Sequence, residues 1–268
     1  MEIRVIVAAH KPYRMPTDPM YLPLFVGSAG KENISGTRGG ALEVFARDDR
    51  GENISAKNPN FCELTGVYWA WKNLNADAVG LAHYRRHFGH ANKKDIMSGA
   101  LKETEAEKLF ETADILVPKK RRYFIETLAS HYSHTHDAKH LELAGKAIER
   151  ICPEYTDAYK KAIGRTWGYM FNMFIMRKKY LDEYCEFLFP ILFELENEIS
   201  TEGLSAFDAR LFGRISELLF NAFIIVKKEQ GVKVTEVPMF STEKVPWGKK
   251  ILAFLMAKFS GKKYKGSF

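Results

Sequence analysis

The chain has 268 residues, 46% hydrophobic and 13% aromatic, which is enough to bury one substantial core and excludes a disordered chain. Of its net charge of +7, residues 243–268 contribute +6, from seven lysines and one glutamate, so the rest is nearly neutral and a general nucleic-acid-binding surface is disfavoured. No run of about 20 apolar residues predicts a membrane-spanning helix, the N-terminus lacks signal-peptide features, and three unpaired cysteines are typical of a reducing compartment.

Strands and helices alternate along the predicted core. Apolar, β-branched runs predict strands at 3–9, 24–28, 77–84, 114–117, 169–178 and 232–238, and the proline-rich residues 12–23 predict an irregular segment. Helical spacing predicts helices at 60–74, with Asn60 as N-cap, and at 137–150, 154–164, 178–199 and 206–225. Such alternation predicts an α/β layered sheet.

The basic C-terminal stretch is expected to be separate from this core, giving a domain at 1–242 and a segment at 243–268. Trp247, Ile251, Leu255 and Phe259 fall in one row when the segment is laid on a helix, with lysines beside and after them. A basic amphipathic helix of this kind binds an anionic membrane surface. The alternative is that the apolar row packs on the core and the lysines only solubilise it.

Cations follow two predicted strands at the place where α/β sheets bind ligands, beyond their carboxyl ends. His10 and Lys11 follow the first strand, and "HYRRH" at 83–87 ends the strand at 77–84. The guanidinium forks of Arg85 and Arg86 match phosphate oxygens, so a diphosphate is the ligand they fit best. The alternative is that one arginine pairs with a core carboxylate and the other is solvated.

Two other polar stretches are weaker candidates. Lys57 and Asn58 precede a predicted helix whose free N–H groups could bind an anion, although an ordinary capped loop explains them as well. Residues 131–140 hold four histidines, and His136 and His140 would face one metal only if the stretch were helical. Asp137 and its histidine neighbours could instead act as an acid or base.

Several stretches together resemble a bacterial family. They are "VAAHKP", "GENISAKNPNFCELTGVYWAWKN", "DAVGLAHYRRHFG", "MFNMFIMRKKYLDEYCEFLFPIL" and "GRISELLF". In order, from about residue 3 to 238, they match the family found in capsular and exopolysaccharide clusters and first catalogued as a domain of unknown function. Some of its members are assigned as glycosyltransferases, including galactofuranosyl transfer.

The resemblance implies a GT-A-like, single Rossmann-type domain with a mostly parallel sheet flanked by helices. It implies a UDP-linked sugar donor and a lipid-linked saccharide acceptor, at the cytoplasmic face of the cell membrane. In that fold a strand usually ends in a D-x-D motif that holds a divalent metal on the diphosphate. Here the comparable strand ends in cations, so we expect Arg85 and Arg86 to neutralise the leaving diphosphate without a metal cofactor, Mg²⁺ or Mn²⁺ not being excluded.

The resemblance also suggests roles for particular residues. The expected donor-binding residues are His10, Lys11, Lys57, Asn58, Tyr84, Arg85 and Arg86, and the expected sugar- or acceptor-binding residues are His83, His134 and Asn172. Inverting transfer needs a carboxylate base at the acceptor hydroxyl, for which Asp137, Glu217 and Glu63 are unranked candidates. Glu217 could instead be a helix residue paired with Arg214.

Two other functions remain open from the sequence. A non-catalytic nucleotide- or sugar-binding subunit of a polysaccharide assembly complex would use the same pocket, and a carboxylate near the acceptor position would favour the enzyme over it. RNA binding through the basic tail ranks last, because the tail has few stacking aromatics and the core is not basic.

Overall fold

The structure is a computed structural model that describes residues 1–243. Its strands are β1 (Ile3–Ala9), β2 (Arg14–Met15), β3 (Tyr21–Phe25), β4 (Ser35–Arg38), β5 (Ala41–Val44), β6 (Ala46–Arg47), β7 (Ala78–His83), β8 (Arg86–Phe88), β9 (Ile115–Pro118), β10 (Arg121–Arg122), β11 (Trp167–Gly168), β12 (Phe174–Arg177), β13 (Val234–Val237) and β14 (Met239–Ser241). Its helices are α1 (Asn58–Phe61), α2 (Leu64–Asn73), α3 (Glu103–Phe110), α4 (Leu128–Ser133), α5 (Lys139–Ile151), α6 (Thr156–Ile163), α7 (Lys178–Glu198) and α8 (Leu211–Glu229).

The main sheet has the strand order β13-β9-β12-β7-β1-β3-β6, and β8 and β14 extend it from the end of β7. Neighbours are parallel except around β12, which runs antiparallel to β7 and β9, and along β7-β8-β14. The predicted α/β fold with a mostly parallel sheet between helices is confirmed. Because β1, β3 and β7 are parallel, their carboxyl ends and the start of β12 meet at one edge.

The sheet is buried on both faces, which explains the uninterrupted apolar run of β1. Ile6 and Ala8 face the larger core with α2 and α4–α8, whereas Val5, Val7 and Ala9 face a smaller core that includes α3. Alternate side chains of a strand point to opposite faces, so both sets have to be apolar in a three-layer fold.

The strand predicted at 24–28 corresponds to β3, which begins earlier, at Tyr21, includes Pro23 and ends at Phe25. β3 pairs in parallel with β1, so every second residue of β3 directs its N–H group toward β1. Val26, just after the strand, shows which residues these are, because its N–H donates to the Ala9 carbonyl. Pro23 has the opposite parity and faces β6, which pairs only with Leu24 and Phe25. A residue without an N–H therefore costs no ladder bond there.

The helix predicted at 60–74 is divided, and Asn60 does not cap it. Asn60 lies inside α1, and α2 begins at Leu64, because Cys62 between them has a left-handed backbone with φ of 56°. The strand predicted at 169–178 is also shorter, since only Phe174–Arg177 is extended. Residues 169–173 form a loop at the ligand-binding edge instead.

Of the segment predicted to bind a membrane, residues 244–268 lie outside the part of the chain that the structure describes. Membrane binding by this segment and the domain boundary at 242 therefore stay predictions. Within residues 1–243 no helix combines the length and hydrophobicity needed to cross a bilayer.

Candidate active site

A cavity of about 590 Å³ opens at the sheet edge where β1 and β7 end. Its lining comes from the strand ends, the α1–α2 junction, residues 121–136, the 169–173 loop and the start of α8. It lies where ligands bind in open α/β sheets, beyond the carboxyl ends of the strands.

The lining of this cavity carries an excess of positive charge. Two carboxylates, Glu63 and Glu217, face five arginines, which are Arg85, Arg86, Arg121, Arg210 and Arg214. Guanidinium groups stay charged at any working pH and bind phosphate oxygens in a bidentate manner. The arrangement therefore fits an anionic ligand larger than a single phosphate.

Arg85 and Arg86 reach the cavity through the tight turn from β7 into β8. The guanidinium of Arg86 lies 4.4 Å from the ring centre of Phe171, and burial, followed by the charge of Arg85, lowers the Arg86 pKa. Arg85 Nη1 lies 3.2 Å from the exposed carboxylate of Glu243. Neither of these contacts is with a core carboxylate, and both arginines line the cavity.

Tyr84, in the same turn, contacts His10 and Lys11, the two residues that follow β1. Its ring centre lies 5.1 Å from that of His10, edge to face, and 5.2 Å from Lys11 Nζ. Burial lowers the His10 pKa, and the charges of Lys11, Arg85 and Arg210 lower it further. His10 is therefore neutral in a positive field, as expected beside an anion site.

The 169–173 loop is held in a strained conformation at the cavity floor. Phe171 and Asn172 have left-handed backbones, with φ of 74° and 52°. The Phe171 carbonyl accepts a 2.6 Å hydrogen bond from His83 Nε2, and its N–H donates to Glu217 Oε1 at 3.1 Å. Since a carbonyl only accepts, His83 carries its proton on Nε2, and burial lowers its pKa.

Asn172 fixes the second half of the loop and one of the carboxylates. Its Nδ2 donates to Glu63 Oε1 at 2.8 Å and to the Gly213 carbonyl at 3.0 Å, and its Oδ1 accepts from Ser216. The side chain is 1% exposed and does not line the cavity. The structure therefore places Asn172 next to Glu63, where it orients that carboxylate, and off the cavity lining.

Glu217 is the more deeply buried of the two carboxylates. Burial raises its pKa above the usual 4.5 and the nearby Glu63 raises it further, while the charge of Arg214 opposes both. Its ordered partner is the Phe171 N–H, and within residues 1–243 no Arg214 nitrogen lies within 4 Å of its carboxylate. A carboxylate with a raised pKa is a better proton acceptor near neutral pH than an ordinary one.

The break between α1 and α2 brings Asn58 to the cavity. Asn58 Nδ2 donates to the Cys62 carbonyl at 2.7 Å and to Thr65 Oγ1 at 3.1 Å, which closes the interrupted turn. A Cβ on Gly27, whose φ is +66°, would lie 2.4 Å from Asn58 Oδ1, so only glycine fits there. On the other side Arg210 Nε donates to Cys62 Sγ at 3.2 Å.

Not every predicted site residue reaches the cavity. Lys57 Nζ binds both oxygens of Glu196 at 2.8 Å, Asp137 is exposed and accepts the Lys139 N–H, and His134 pairs with Glu126. The structure brings together His10, Asn58, Glu63, His83, Tyr84, Arg85, Arg86 and Glu217, and leaves Lys11, Lys57, His134, Asp137 and Asn172 off the cavity lining.

Sequence reasoning missed the other half of the cavity. Arg210 and Arg214 are i,i+4 at the start of α8, a spacing that places them on one helix face. Arg121 belongs to a basic run just after β9. The i,i+4 pair was a usable signal, whereas nothing in the sequence shows that these arginines meet Arg85 and Arg86.

The histidine-rich stretch is not a helix with a metal-binding face. α4 ends at Ser133 and α5 begins at Lys139, so His136 lies in the connection, where it is buried and stacked on Phe207. His131 lines the cavity, lies 3.3 Å from the buried carboxylate of Glu126, and has a pKa lowered to about 3 by burial. No group of three or more potential metal ligands occurs among residues 1–243.

The adjacent aspartates at 48 and 49 do not supply a D-x-D-like site either. Asp48 is fully buried and accepts hydrogen bonds from the N–H groups of Gly27 and Ser28 and from the hydroxyls of Ser55 and Thr65. Its carboxylate is thus used in fixing the loop after β3.

The fold and the cavity together define an α/β protein with a glycosyltransferase fold. A solved structure of the bifunctional glycosyltransferase WbbM, in its apo form, is similar over 91% of this chain, with a TM-score of 0.79 and 33% sequence identity. The match covers 46% of the WbbM chain, so this chain spans less than half of that protein.

The family model described as a domain of unknown function, DUF4422, matches residues 4–229, and the chain belongs to this family. No curated protein gives a significant match.

Proposed function

We propose that this protein is a glycosyltransferase that transfers a sugar from a nucleoside-diphosphate sugar to a saccharide acceptor. The observation that carries the proposal is one cavity lined by five arginines and two carboxylates, in a fold similar to that of a glycosyltransferase. The arginines suit the diphosphate, and the carboxylates suit activation of an acceptor hydroxyl.

The donor would lie with its diphosphate against Arg85 and Arg86. His10, Tyr84 and Asn58 lie on the β1 side of the same cavity, where the nucleotide would bind, and UDP is the nucleotide that the family resemblance suggests. Arg210, just before α8, and Arg214, in its first turn, also line the cavity. Their charge is in place before the reaction, so it stabilises the leaving diphosphate without reorganisation.

Glu217 would act as the base. The acceptor hydroxyl oxygen forms the new bond to the anomeric carbon, the bond from that carbon to the diphosphate breaks, and the hydroxyl proton passes to the Glu217 carboxylate. The bonding electron pair leaves with the nucleoside diphosphate, which the arginines neutralise. Glu63, held by Asn172, is the rival candidate for the base.

The two carboxylates favour an enzyme over a non-catalytic binding subunit, because sugar binding alone does not require a buried carboxylate with a raised pKa. Galactofuranose as the transferred sugar, a lipid-linked acceptor, a role in capsule or exopolysaccharide synthesis and turnover without a divalent metal belong to the same proposal. They rest on the family resemblance and on the cationic lining.

A screen of the full-length protein against nucleoside-diphosphate sugars tests this proposal. Calorimetry should show binding of a UDP-sugar, and UDP release should be faster with protein than without it. Binding with no UDP release in the presence of saccharide acceptors would support the binding-subunit reading. If no nucleotide sugar binds at millimolar concentration, the proposal is wrong.

A further inference from the structure

An exposed apolar tip follows a run of four cations beside the cavity. The whole stretch, cations and tip together, is "KKRRYFI", from Lys119 to Ile125. Phe124 is 79% exposed and Ile125 is 52% exposed. Single exposed apolar side chains are common, but two adjacent ones that follow four cations and the buried Tyr123 are not explained by folding of the core.

The backbone holds this tip away from the core. Tyr123 N donates to Thr166 O and Leu128 N donates to Arg165 O, both at 2.8 Å, so residues 124–127 bulge out between these two bonds. Phe124 has a left-handed backbone with φ of 57°, which few aromatic residues adopt. The side chain is thus directed to solvent by a defined turn.

A tryptophan and further cations surround the tip. Arg122 pairs with Trp167 across β10 and β11, and Trp167 has Lys120 Nζ at 4.8 Å and the Arg165 guanidinium at 4.6 Å from its ring centre. Lys120 also binds Glu236 at 3.1 Å. In the described part of the chain, Lys119, Arg122 and Arg165 have no carboxylate within 4 Å, so the surface is strongly cationic.

We propose that residues 119–125, together with Trp167, bind the surface of an anionic membrane. Apolar side chains enter the boundary between headgroups and acyl chains, tryptophan prefers that boundary, and cations are attracted to anionic headgroups. The surface presents all three, and its charge is complementary to that of the lipid.

This contact would place the cavity next to the bilayer. Arg121 and Tyr123 lie within the same run and line the cavity, so an acceptor carried on a lipid would enter beside the inserted side chains. The inference goes beyond the proposed function and does not depend on it, because the surface is a lipid-binding one whatever the cavity binds.

Sedimentation of the full-length protein with vesicles tests the contact. Replacing the tip as Phe124→Ser with Ile125→Ser should weaken binding to equimolar phosphatidylglycerol and phosphatidylcholine by about ten-fold or more. The matched control is Leu42→Ser with Val44→Ser on β5, which removes side chains of similar exposure, 77% and 59%, that have Glu43 rather than a basic run between them. The control should bind like the parent, and residues 244–268 are common to all variants.

The cations give an independent comparison. Lys119→Gln with Arg122→Gln should weaken binding by about five-fold for each charge removed, whereas Lys93→Gln with Lys94→Gln, two residues that are also exposed, should have a smaller effect. Vesicles of phosphatidylcholine alone should bind the parent weakly and show no difference between these pairs.

Insertion itself is read out by fluorescence. A Phe124→Trp variant should be quenched by bromine-labelled lipid more strongly than a Leu42→Trp variant. The proposal is overturned if the Phe124/Ile125 variant binds vesicles like its control, or if tryptophan at 124 is quenched no more than tryptophan at 42. Donor binding, measured in parallel, shows that each variant is folded and separates this failure from a failure of the proposed function.

Discussion

The positive side chains of the cavity come from three separate parts of the chain. Arg85 and Arg86 follow β7, Arg121 follows β9, Arg210 immediately precedes α8, and Arg214 lies in its first turn. Like charges at this density repel one another, and an anion that binds several of them removes the repulsion. At the residue scale the charge of the cavity lining therefore suits the multiply charged anion that we propose as its ligand.

Replacing Arg85 or Arg86 with alanine should lower kcat/KM for a UDP-sugar by about 10- to 100-fold each, because each loses a charge-assisted contact to the diphosphate. Lysine at either position should restore little of this, since it lacks the bidentate fork. The thermal midpoint should change little. The control is Arg50→Ala, whose side chain is 75% exposed away from the cavity lining. Full activity in the double-alanine variant would contradict the assignment.

Glu217→Gln should lower turnover by about 100-fold or more, because the amide cannot accept the acceptor proton. Its carbonyl oxygen can still accept the Phe171 N–H, so the fold should persist. Glu63→Gln is the matched comparison, and a larger loss there would make Glu63 the base. UDP release at saturating donor and acceptor measures both.

The same variant has a signed effect on stability. The folded-state pKa of Glu217 is raised above its usual 4.5, so the folded protein binds more protons than the unfolded chain between that value and the raised one. Stability of the parent therefore falls as the pH rises through this window, and glutamine removes this loss. Urea unfolding should give the free energy of unfolding of Glu217→Gln minus that of the parent. This difference should be more favourable to the variant at neutral pH than at pH 4. An equal difference at both pH values would show that the Glu217 pKa is not raised.

At the element scale, the long regular elements were predictable and the two breaks at the site were not. β1, β7, α7 and α8 follow from apolar periodicity that local sequence contains. The left-handed Cys62 depends on Asn58 and Gly27, and the 169–173 loop depends on Ser216 and Glu217 of α8 and on Glu63. Such contacts are remote in sequence, so a local pattern cannot show them. For the same reason Arg85 and Arg86 were found from a strand end, whereas their convergence with Arg210 and Arg214 was not.

The loop should be sensitive to the backbone at Asn172 as well as to its side chain. Asn172→Ala removes the bonds to Glu63 and Gly213 and forces a left-handed alanine, whereas Asn172→Gly removes the same bonds without that strain. Urea unfolding should therefore show alanine to be less stable than glycine by about 1 kcal/mol. Equal stabilities would mean that the loop relaxes and stores no strain.

At the scale of the whole molecule, the sheet and all cavity-lining residues found in the described part of the chain, 1–243, lie within residues 3–241. The family match ends at residue 229, and the chain covers less than half of the WbbM structure. A protein truncated after residue 243 should therefore fold and bind the donor like the parent. If residues 244–268 bind anionic lipid as the sequence predicts, truncation should also weaken sedimentation with phosphatidylglycerol vesicles. Loss of donor binding on truncation would show that the cavity needs the segment.

The central claim is that arginines supply the charge that a divalent metal supplies in other nucleotide-sugar transferases. The most direct measurement is the rate of UDP release by the full-length protein from its UDP-sugar, in excess EDTA and again with added Mn²⁺ or Mg²⁺. We predict the same rate within about two-fold in all three conditions, since five arginines line the cavity and stay charged throughout. Activity abolished by EDTA and restored by either metal would contradict the account.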